Sequence, residues 1–539
     1  MSREIFNFVQ RPKLRRSKID LSYQNAFTCK LGELIPCYWE EVIPTDRAVF
    51  SAAPFVRALP LSAPIMGQLD LRMYYFFVPF HIIWDDFEEF ITGGRDGIST
   101  PVMPYLPPVS NSTYSRGRNL LLDYFKLANV SQGAGNTLVL SHPKVSALQI
   151  LAYWKIYDDY FRDQNLSPSL FDDTQSVYIK TTSGEFMSLD TGVQGHQLAR
   201  VATKAWDKDL FTSALPFAQR GASVAIPIAD KFNLYYQPDS SDERYGVYAK
   251  ADLFHPSDEM VDLSLHSSGF ESSPVNPVGS ITAALDRYGN TFNINDLREA
   301  SAIQRFLEFN AIGGSRYKEQ VAMHFGGRVA DYRLNRPEFI CGMKTPVLSS
   351  QVLQQSQTNG DSVLGTQGGN LVASGMVKPR RYAFEEHGLV IGLMSITPRS
   401  VYSQGVSRFA LKDDKFDFFF PYFENLGEQE IYNAEIYAQG NTGDMNSFGY
   451  GPRYYEYKHR ENEAHGDFVK SLSYWIPQRR FSSMPALNQD FISVDVEKER
   501  SLNNIFAVTD NTQDQFYCVV QNIAKFNRPM SKYSKFLLR

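Results

Sequence analysis

The chain has 539 residues, a net charge of −5 and an aromatic content of 14%, with 39 Phe and 30 Tyr. The length leaves ample room for a core and predicts either several domains or one large β unit with long insertions. The acidic balance excludes a protein whose whole surface grips nucleic acid, and the aromatic bias favours strands and broad interfaces.

The opening MSREIFNFVQRPKLRR has no apolar core of the kind a signal peptide needs. Arg11, Lys13, Arg15, Arg16 and Lys18 crowd around Pro12, a density of charge that predicts an arm over residues 1–30 rather than a packed domain. From Leu34 the texture changes to extended pieces, LIPCYWEEVIP and LDLRMYYFFVPF, with Pro36, Pro44 and Pro79 at their ends, where strands tolerate proline. The apolar run from Met73 to Phe80 is far short of a membrane span. WDDFEEFI, from Trp84 to Ile91, predicts a short helix stopped by Gly93 and Gly94. KVSALQILAYWKIYDDYFR, at 144–162, predicts a longer one with Leu148, Leu151, Ala152, Ile156 and Tyr160 on one face. Residues 222–292, punctuated by Pro, Ser and Gly, suit a surface excursion.

The stretch from Asn293 to Gly342 predicts an αα-hairpin. Leu297, Ala300, Ile303 and Leu307 recur at helical steps, Asn295 is placed to cap, and Gly313-Gly314 is placed to end the first helix in a left-handed turn. Ser315 opens a second helix with Tyr317, Val321 and Phe325 on one face. Ser349 to Gly375 is a polar, glycine-rich connection, after which strand-like runs return: HGLVIGLMSI, RFALK, FDFFFPYF, YYEYK, IFAVT and FYCVVQNIAKF. Strands at both ends of the chain predict one antiparallel β domain interrupted internally.

Catalytic constellations do not stand out. His459 and His465 form no H-E-x-x-H pattern, Gly133-Ala134-Gly135 lacks the third glycine of a dinucleotide loop, and Gly313-Gly314-Ser315-Arg316 lacks the Lys-Ser/Thr of a P-loop. Asp158-Asp159, Asp172-Asp173 and Asp413-Asp414 are acid pairs of the kind solvated surfaces usually carry. The sequons at Asn111, Asn129 and Asn165 matter only in a secreted chain. Cys29, Cys37, Cys341 and Cys518 contain no C-x-x-C pair and fit folding in a reducing cytosol.

The positive chemical signal is at the two ends. Arg11, Lys13, Arg15, Arg16 and Lys18 open the chain; Lys525, Arg528, Lys532, Lys535 and Arg539 close it, interleaved with Phe526, Tyr533 and Phe536. Cations for phosphates beside rings for unstacked bases are what sequence-tolerant binding of single strands requires. The bland alternative, a solvated terminus or one docked on a neighbouring subunit, has equal weight for each end.

The residues NDLREA, IQRFLE, GGSRY, HFG and RLNRPEF, in that order, resemble the central block of the major capsid proteins of microviruses, in particular the gokushovirus-like branch. RSKIDLSYQNAFTCKLGELIPCYWEEVIPTD, LRMYYFFVPFHIIWDDFEEF, TSALPFAQRG, EEHGLVIGLMSI, FGYGPRYYEYK and DQFYCVVQNIAKFNRPM extend the resemblance over most of the chain. Ala218 departs from it where many relatives have a second proline, and 222–292 matches no quotable segment.

The resemblance implies a mainly β fold: an eight-stranded antiparallel jelly roll, the viral β-barrel, with long, partly helical insertions. The divisions expected are a basic N-terminal arm (1–30), the first part of the jelly roll with helical insertions (31–221), a surface insertion forming a three-fold protrusion (222–292), a helical hairpin insertion (293–346), the remainder of the jelly roll and its loops (347–520) and a basic C-terminal tail (521–539). It also implies a non-enzymatic protein that self-assembles through pentamers into a T=1 icosahedral shell of sixty around circular single-stranded DNA, made in the bacterial host cytoplasm and resident in the virion. The partners implied are a small basic DNA-packaging protein, a pilot or minor capsid protein and a host cell-surface receptor. No cofactor is called for, and a structural divalent cation at an interface is left open. Ten basic residues per copy would give roughly 600 charges per shell against on the order of thousands of phosphates, so the shell orders DNA without neutralising it. The rival reading from another class is a β-rich carbohydrate-binding protein or glycoside hydrolase using paired carboxylates.

Overall fold

A computed structural model of the chain describes residues 15–106, 121–127, 145–171, 200–221, 294–353, 367–496, 498–508 and 513–533, with short strands at 178–181, 184–187, 233–238, 245–247 and 279–284. The chain divides into two compact units, Met1–Ala218 with Gly313–Arg539, and Gln219–Ile312. The sequons at Asn111 and Asn129, Gly133 to Gly135, Asp172-Asp173 and most of 222–292 lie outside the described residues.

The first unit is mainly β. Its N-terminal strands are β1 (Ser17–Asp20), β2 (Tyr23–Cys29), β3 (Ile35–Val42), β4 (Arg47–Ala58) and β5 (Leu69–Pro79). A small separate hairpin, β6 (Tyr178–Thr181) with β7 (Gly184–Met187), follows, while β8 (Asn233–Pro238), β9 (Tyr245–Val247) and β10 (Gly279–Ala284) form a three-stranded sheet within the second unit. The first unit resumes with β11 (Glu338–Leu353), β12 (Gln367–Ser374), β13 (Arg380–Ala383), β14 (Gly388–Pro398), the hairpin β15 (Glu428–Tyr432) and β16 (Ser447–Pro452), and finally β17 (Phe516–Arg528).

Eight strands follow one antiparallel path, β1-β17-β4-β12-β11-β5-β14-β3, with β2 also on β17 and β13 also on β4. The sheet curls because β11 belongs to both of its halves: Glu338 to Val347 pair with β5, and Leu348 to Leu353 pair with β12. The curl brings β4 and β17 face to face with β3 and β5. Phe50 of β4 lies 6.2 Å from Tyr75 of β5 and 6.1 Å from Tyr38 of β3, ring centre to ring centre. Buried Asn522 of β17 ties the halves together, accepting from the Tyr75 hydroxyl at 2.9 Å and donating to the Cys37 carbonyl at 3.1 Å. This architecture is the mainly β class expected, compatible with a jelly roll.

Helices decorate the sheet. These are α1 (Phe87–Thr92), α2 (Leu121–Tyr124), α3 (Leu148–Ile156), α4 (Ile294–Gly313), α5 (Tyr317–Phe325) and α6 (Gln489–Ile492). α1 ends at Gly93 in the left-handed conformation, as the glycine pair predicts. The helix expected over 144–162 is shorter, α3 followed by a π turn at Tyr157–Phe161. It is buried on nearly all sides, since Ile150, Tyr153 and Trp154 are buried as well as the expected face. Both helices expected over 293–342 are present, α4 and α5, with Gly314 between them at φ of 89°. α4 begins at Ile294, so Asn295 lies inside it rather than at its cap. Leu297, Ile303, Tyr317 and Phe325 are exposed in the single chain.

Two expectations shift. Much of the glycine-rich connection from Ser349 to Gly375 is strand: β11 runs to Leu353 and β12 occupies Gln367–Ser374. Glycine is needed at 369 because a Cβ there would meet the Ala63 carbonyl oxygen at 2.7 Å, so the glycines mark a close approach inside a sheet rather than a loop. Parts of the arm and the tail are also strands: residues 17–20 and 23–29 form β1 and β2, and residues 521–528 lie in β17.

Candidate nucleic-acid interface

Both basic ends of the chain meet on one sheet. β1 pairs with the end of β17, setting Lys18 opposite Asn527 and Asp20 opposite Lys525, and β4 flanks β17 on its other side with Arg47 opposite Asn527. The Arg16 guanidinium donates to the carbonyls of Thr45 at 2.7 Å and Asn527 at 3.3 Å, so the arm is tied down at residue 16.

Strand alternation then sorts the side chains. Phe516, Cys518, Val520, Asn522, Ala524 and Phe526 point inward and are buried. Tyr517, Gln521 and Lys525 point outward and are exposed. Directly paired residues share a face, so Lys18, Arg47 and Arg57 join the outward set, and Arg381 of β13, opposite Val49, joins them. One end of this outer face thus carries Lys18, Arg47, Arg381 and Lys525 in adjacent rows. Towards the other end, Tyr517 is opposite Arg57, whose guanidinium lies 5.3 Å from the centre of the exposed Phe55 ring. Cations and open rings share one pleated surface, the arrangement that holds phosphates and stacks bases without reading sequence.

The alternation also withdraws two of the expected contacts. Phe526 is 2% exposed and packs its ring 5.6 Å from that of Phe50 in the core. Arg528 faces the same way, its guanidinium 3.1 Å from the Asp46 carboxylate and 3.3 Å from that of Glu40. Neither is presented to a ligand in this chain. Arg15, Arg16, Lys18, Lys525, Lys532 and Tyr533 are exposed, whereas Arg11, Lys13, Lys535 and Arg539 lie outside the described residues. Arg47, Arg57, Arg381, Phe55 and Tyr517 lie outside the dense charge at the chain ends, so charge density alone does not point to them. In RAVFSAAPFVRA, the period of two that buries Ala48, Phe50 and Ala52 already places both arginines on the opposite face.

Among the described residues, Asp158, Asp159 and Asp414 hold structural partners. Asp158 pairs with Arg162 at 2.7 Å and accepts from Ser169 and the Leu170 amide; Asp159 lies 3.3 Å from Lys155. Asp414 caps a turn by accepting from the Lys415 amide. A cavity of about 280 Å³ is lined by Glu435, Glu456, Glu461 and Glu463. Each of these acids has a basic partner: Arg408 at 3.2 Å, Lys412 at 2.9 Å, His459 at 3.0 Å and His465 at 3.2 Å, respectively. Among the described residues, no group of three or more His, Cys, Asp or Glu is arranged to hold a metal ion.

A curled antiparallel sheet with long excursions, its chemistry spread over open faces, describes a structural β protein. The comparisons give it a family. The sequence profile of the capsid protein (F protein) family matches residues 8–538. Capsid protein VP1 of Bdellovibrio phage phiMH2K is 31% identical over 513 residues, 92% of this chain and 91% of that protein. Capsid protein VP1 of Chlamydia phage 1 is 31% identical over 596 residues, 98% of this chain and 96% of its own. Capsid protein VP1 of Spiroplasma virus 4 is 28% identical over 557 residues, with the same coverage of both chains. The chain belongs to the capsid protein (F protein) family of the microviruses. Its class is therefore structural, and the reading as a glycoside hydrolase gives way. Among the described residues no helix is long and apolar enough to cross a membrane.

Proposed function

We propose that this major capsid protein assembles, through pentamers, into a T=1 shell of sixty copies around a circular single-stranded DNA genome, with no catalysis and no cofactor of its own. The observation that carries the genome side of this reading is the outward basic and aromatic face on which β1, β17, β4 and β13 bring both chain ends together. It offers phosphate contacts at Lys18, Arg47, Arg381 and Lys525 and stacking at Phe55 and Tyr517, with Arg15, Arg16, Lys532 and Tyr533 alongside. Arg11, Lys13, Lys535 and Arg539 extend the same chemistry. The acidic net charge fits a shell that orders part of its DNA and leaves bulk neutralisation to a small basic packaging protein, while a pilot or minor capsid protein serves delivery.

The insertion at 222–292 serves host attachment through a cell-surface receptor, supported by its composition and by the separation of Gln219–Ile312 as its own unit. The chain is made in the host cytoplasm and works in the virion. Particle imaging tests the reading: shells of sixty copies are expected. The Lys18, Arg47, Arg381, Lys525→Gln variant should form shells of normal size that hold less DNA. Shells with unchanged DNA content would remove this face from the genome contact, and a stable monomer at all concentrations would remove the shell itself.

A further inference from the structure

Residues 408–426 carry a dense aromatic segment, folded as three short 3-10 turns, Arg408–Leu411, Lys415–Asp417 and Pro421–Phe423. One buried cation pins it. The Lys412 side chain, 2% exposed, lies 2.9 Å from the Glu456 carboxylate and donates to the Tyr457 hydroxyl at 3.0 Å. Its ammonium also sits 4.4 Å from the ring centre of Tyr457 and 5.1 Å from those of Phe409 and Phe418. The segment is held in place, yet it presents its apolar side chains to water: Phe416, Phe418, Phe420 and Leu426 are 42–60% exposed and Tyr422 is 91% exposed.

Side chains of this size expose roughly 600–800 Å² in total at those fractions. That exceeds what a monomer ordinarily leaves open and approaches the ~800 Å² that each partner buries in a standard interface. Pre-ordering by Lys412 reduces the entropy lost on docking. The rim decides what docks. Asp413, Asp414 and Glu424 are exposed along the segment, against exposed Lys415 and Arg460, the latter 5.8 Å from the Phe409 ring centre; the rim stays net acidic, so pairing the patch with itself would set like charge against like. A matching surface exists elsewhere on the same unit. On α5 and the turn after it, Tyr317 is 67%, Phe325 83% and Tyr332 58% exposed, and Arg328 and Arg333 are exposed beside them. That surface is also pre-ordered, by Arg316 donating to the Asp158 carbonyl at 2.8 Å and by Lys318 at 2.5 Å from Asp331.

We propose that the acidic-rimmed aromatic patch at 408–426 of one copy docks on the basic-rimmed aromatic patch at 317–333 of the next copy. The contact is head to tail, the type that closes into rings when the rotation per copy divides a full turn. It rests on the shell-forming reading and adds to it which surfaces meet.

Sedimentation velocity of the full chain over a concentration series tests both separately. Wild type should self-associate; a wild type that stays monomeric throughout overturns the shell-forming reading and this contact with it. Asp413→Lys with Glu424→Lys, and separately Arg328→Glu with Arg333→Glu, should each raise the concentration needed for association by about tenfold or more, and combining all four should restore it. Either reversed pair associating like wild type overturns the contact while the shell reading stands. Loss without restoration overturns the pairing of these two patches. A second measurement does not depend on the reversed charges folding well: a mixture of Glu424→Cys and Arg328→Cys chains, oxidised mildly, should yield a cross-linked dimer that neither chain gives alone. Absence of that dimer in an associating mixture overturns the proposal.

Discussion

Lys525 and Arg528 are three positions apart on one strand, and the period of two sends them to opposite faces. Lys525 is solvated, whereas Arg528 compensates Asp46, whose carboxylate is fully buried. Arg528→Met should therefore cost about 3–5 kcal/mol in urea unfolding of the unassembled chain, because it leaves a buried charge alone. Lys525→Met, at an exposed position, should stay within about 0.5 kcal/mol. Lys204 gives a pH signature. It is buried 3.6 Å from Asp207, and burial pushes its ammonium down to about 8 from the ordinary 10.5. Below pH 8 the folded chain bears the cost of a buried cation. Between 8 and 10.5 the unfolded chain holds more protons, so stability rises with pH, and above that range both states are neutral. Lys204→Met should stabilise the chain at pH 7 by up to about 3 kcal/mol, with the gain fading towards pH 10.5 in paired melting curves. Such fates were not legible in a reading by charge density. The parity of FYCVVQNIAKFNR does contain the sorting of Lys525 from Phe526 and Arg528, once the run is read as strand to its end.

At the scale of elements, the first strands matter more than an arm would. β1 and β2 cover one edge of β17 along Phe516 to Asn522 and Lys525 to Arg528. Deleting residues 15–29 leaves that edge open beside a buried core strand, and an open edge is a template for pairing with other chains. The expected outcome is insoluble or aggregated protein, checked by the soluble fraction on expression. A soluble deletion variant with wild-type near-ultraviolet dichroism would mean that these strands are dispensable. Local pattern was enough for α1, α4, α5 and the joint at Gly314, because caps and glycine stops act over a few residues. It was not enough for β12. Its glycines look like a loop until Ala63 and Pro64 are seen packed against Gly369, a contact about 300 positions away in the chain.

For the whole molecule, the proposed genome contact rests on the summed charge of the sheet's outer face. Binding of a single-stranded oligonucleotide to the unassembled chain should weaken with salt, and neutralising Lys18, Arg47, Arg381 and Lys525 should make the log–log slope shallower by about 3, since each phosphate contact on a single strand contributes about 0.7. An unchanged slope would place the contacts elsewhere. The sequence by itself determined the mainly β class and, through ordered motifs over most of its length, the resemblance to microvirus capsid proteins. These are properties of local pattern and of residue order, both of which survive without coordinates. Only the tertiary structure decided that the two basic ends are neighbours on one sheet, which of their residues face solvent, and that arginines from β4 and β13 complete the face. The physical reason is that strand pairing joins positions about 500 residues apart, and nothing in the intervening chain encodes which partner a strand will find.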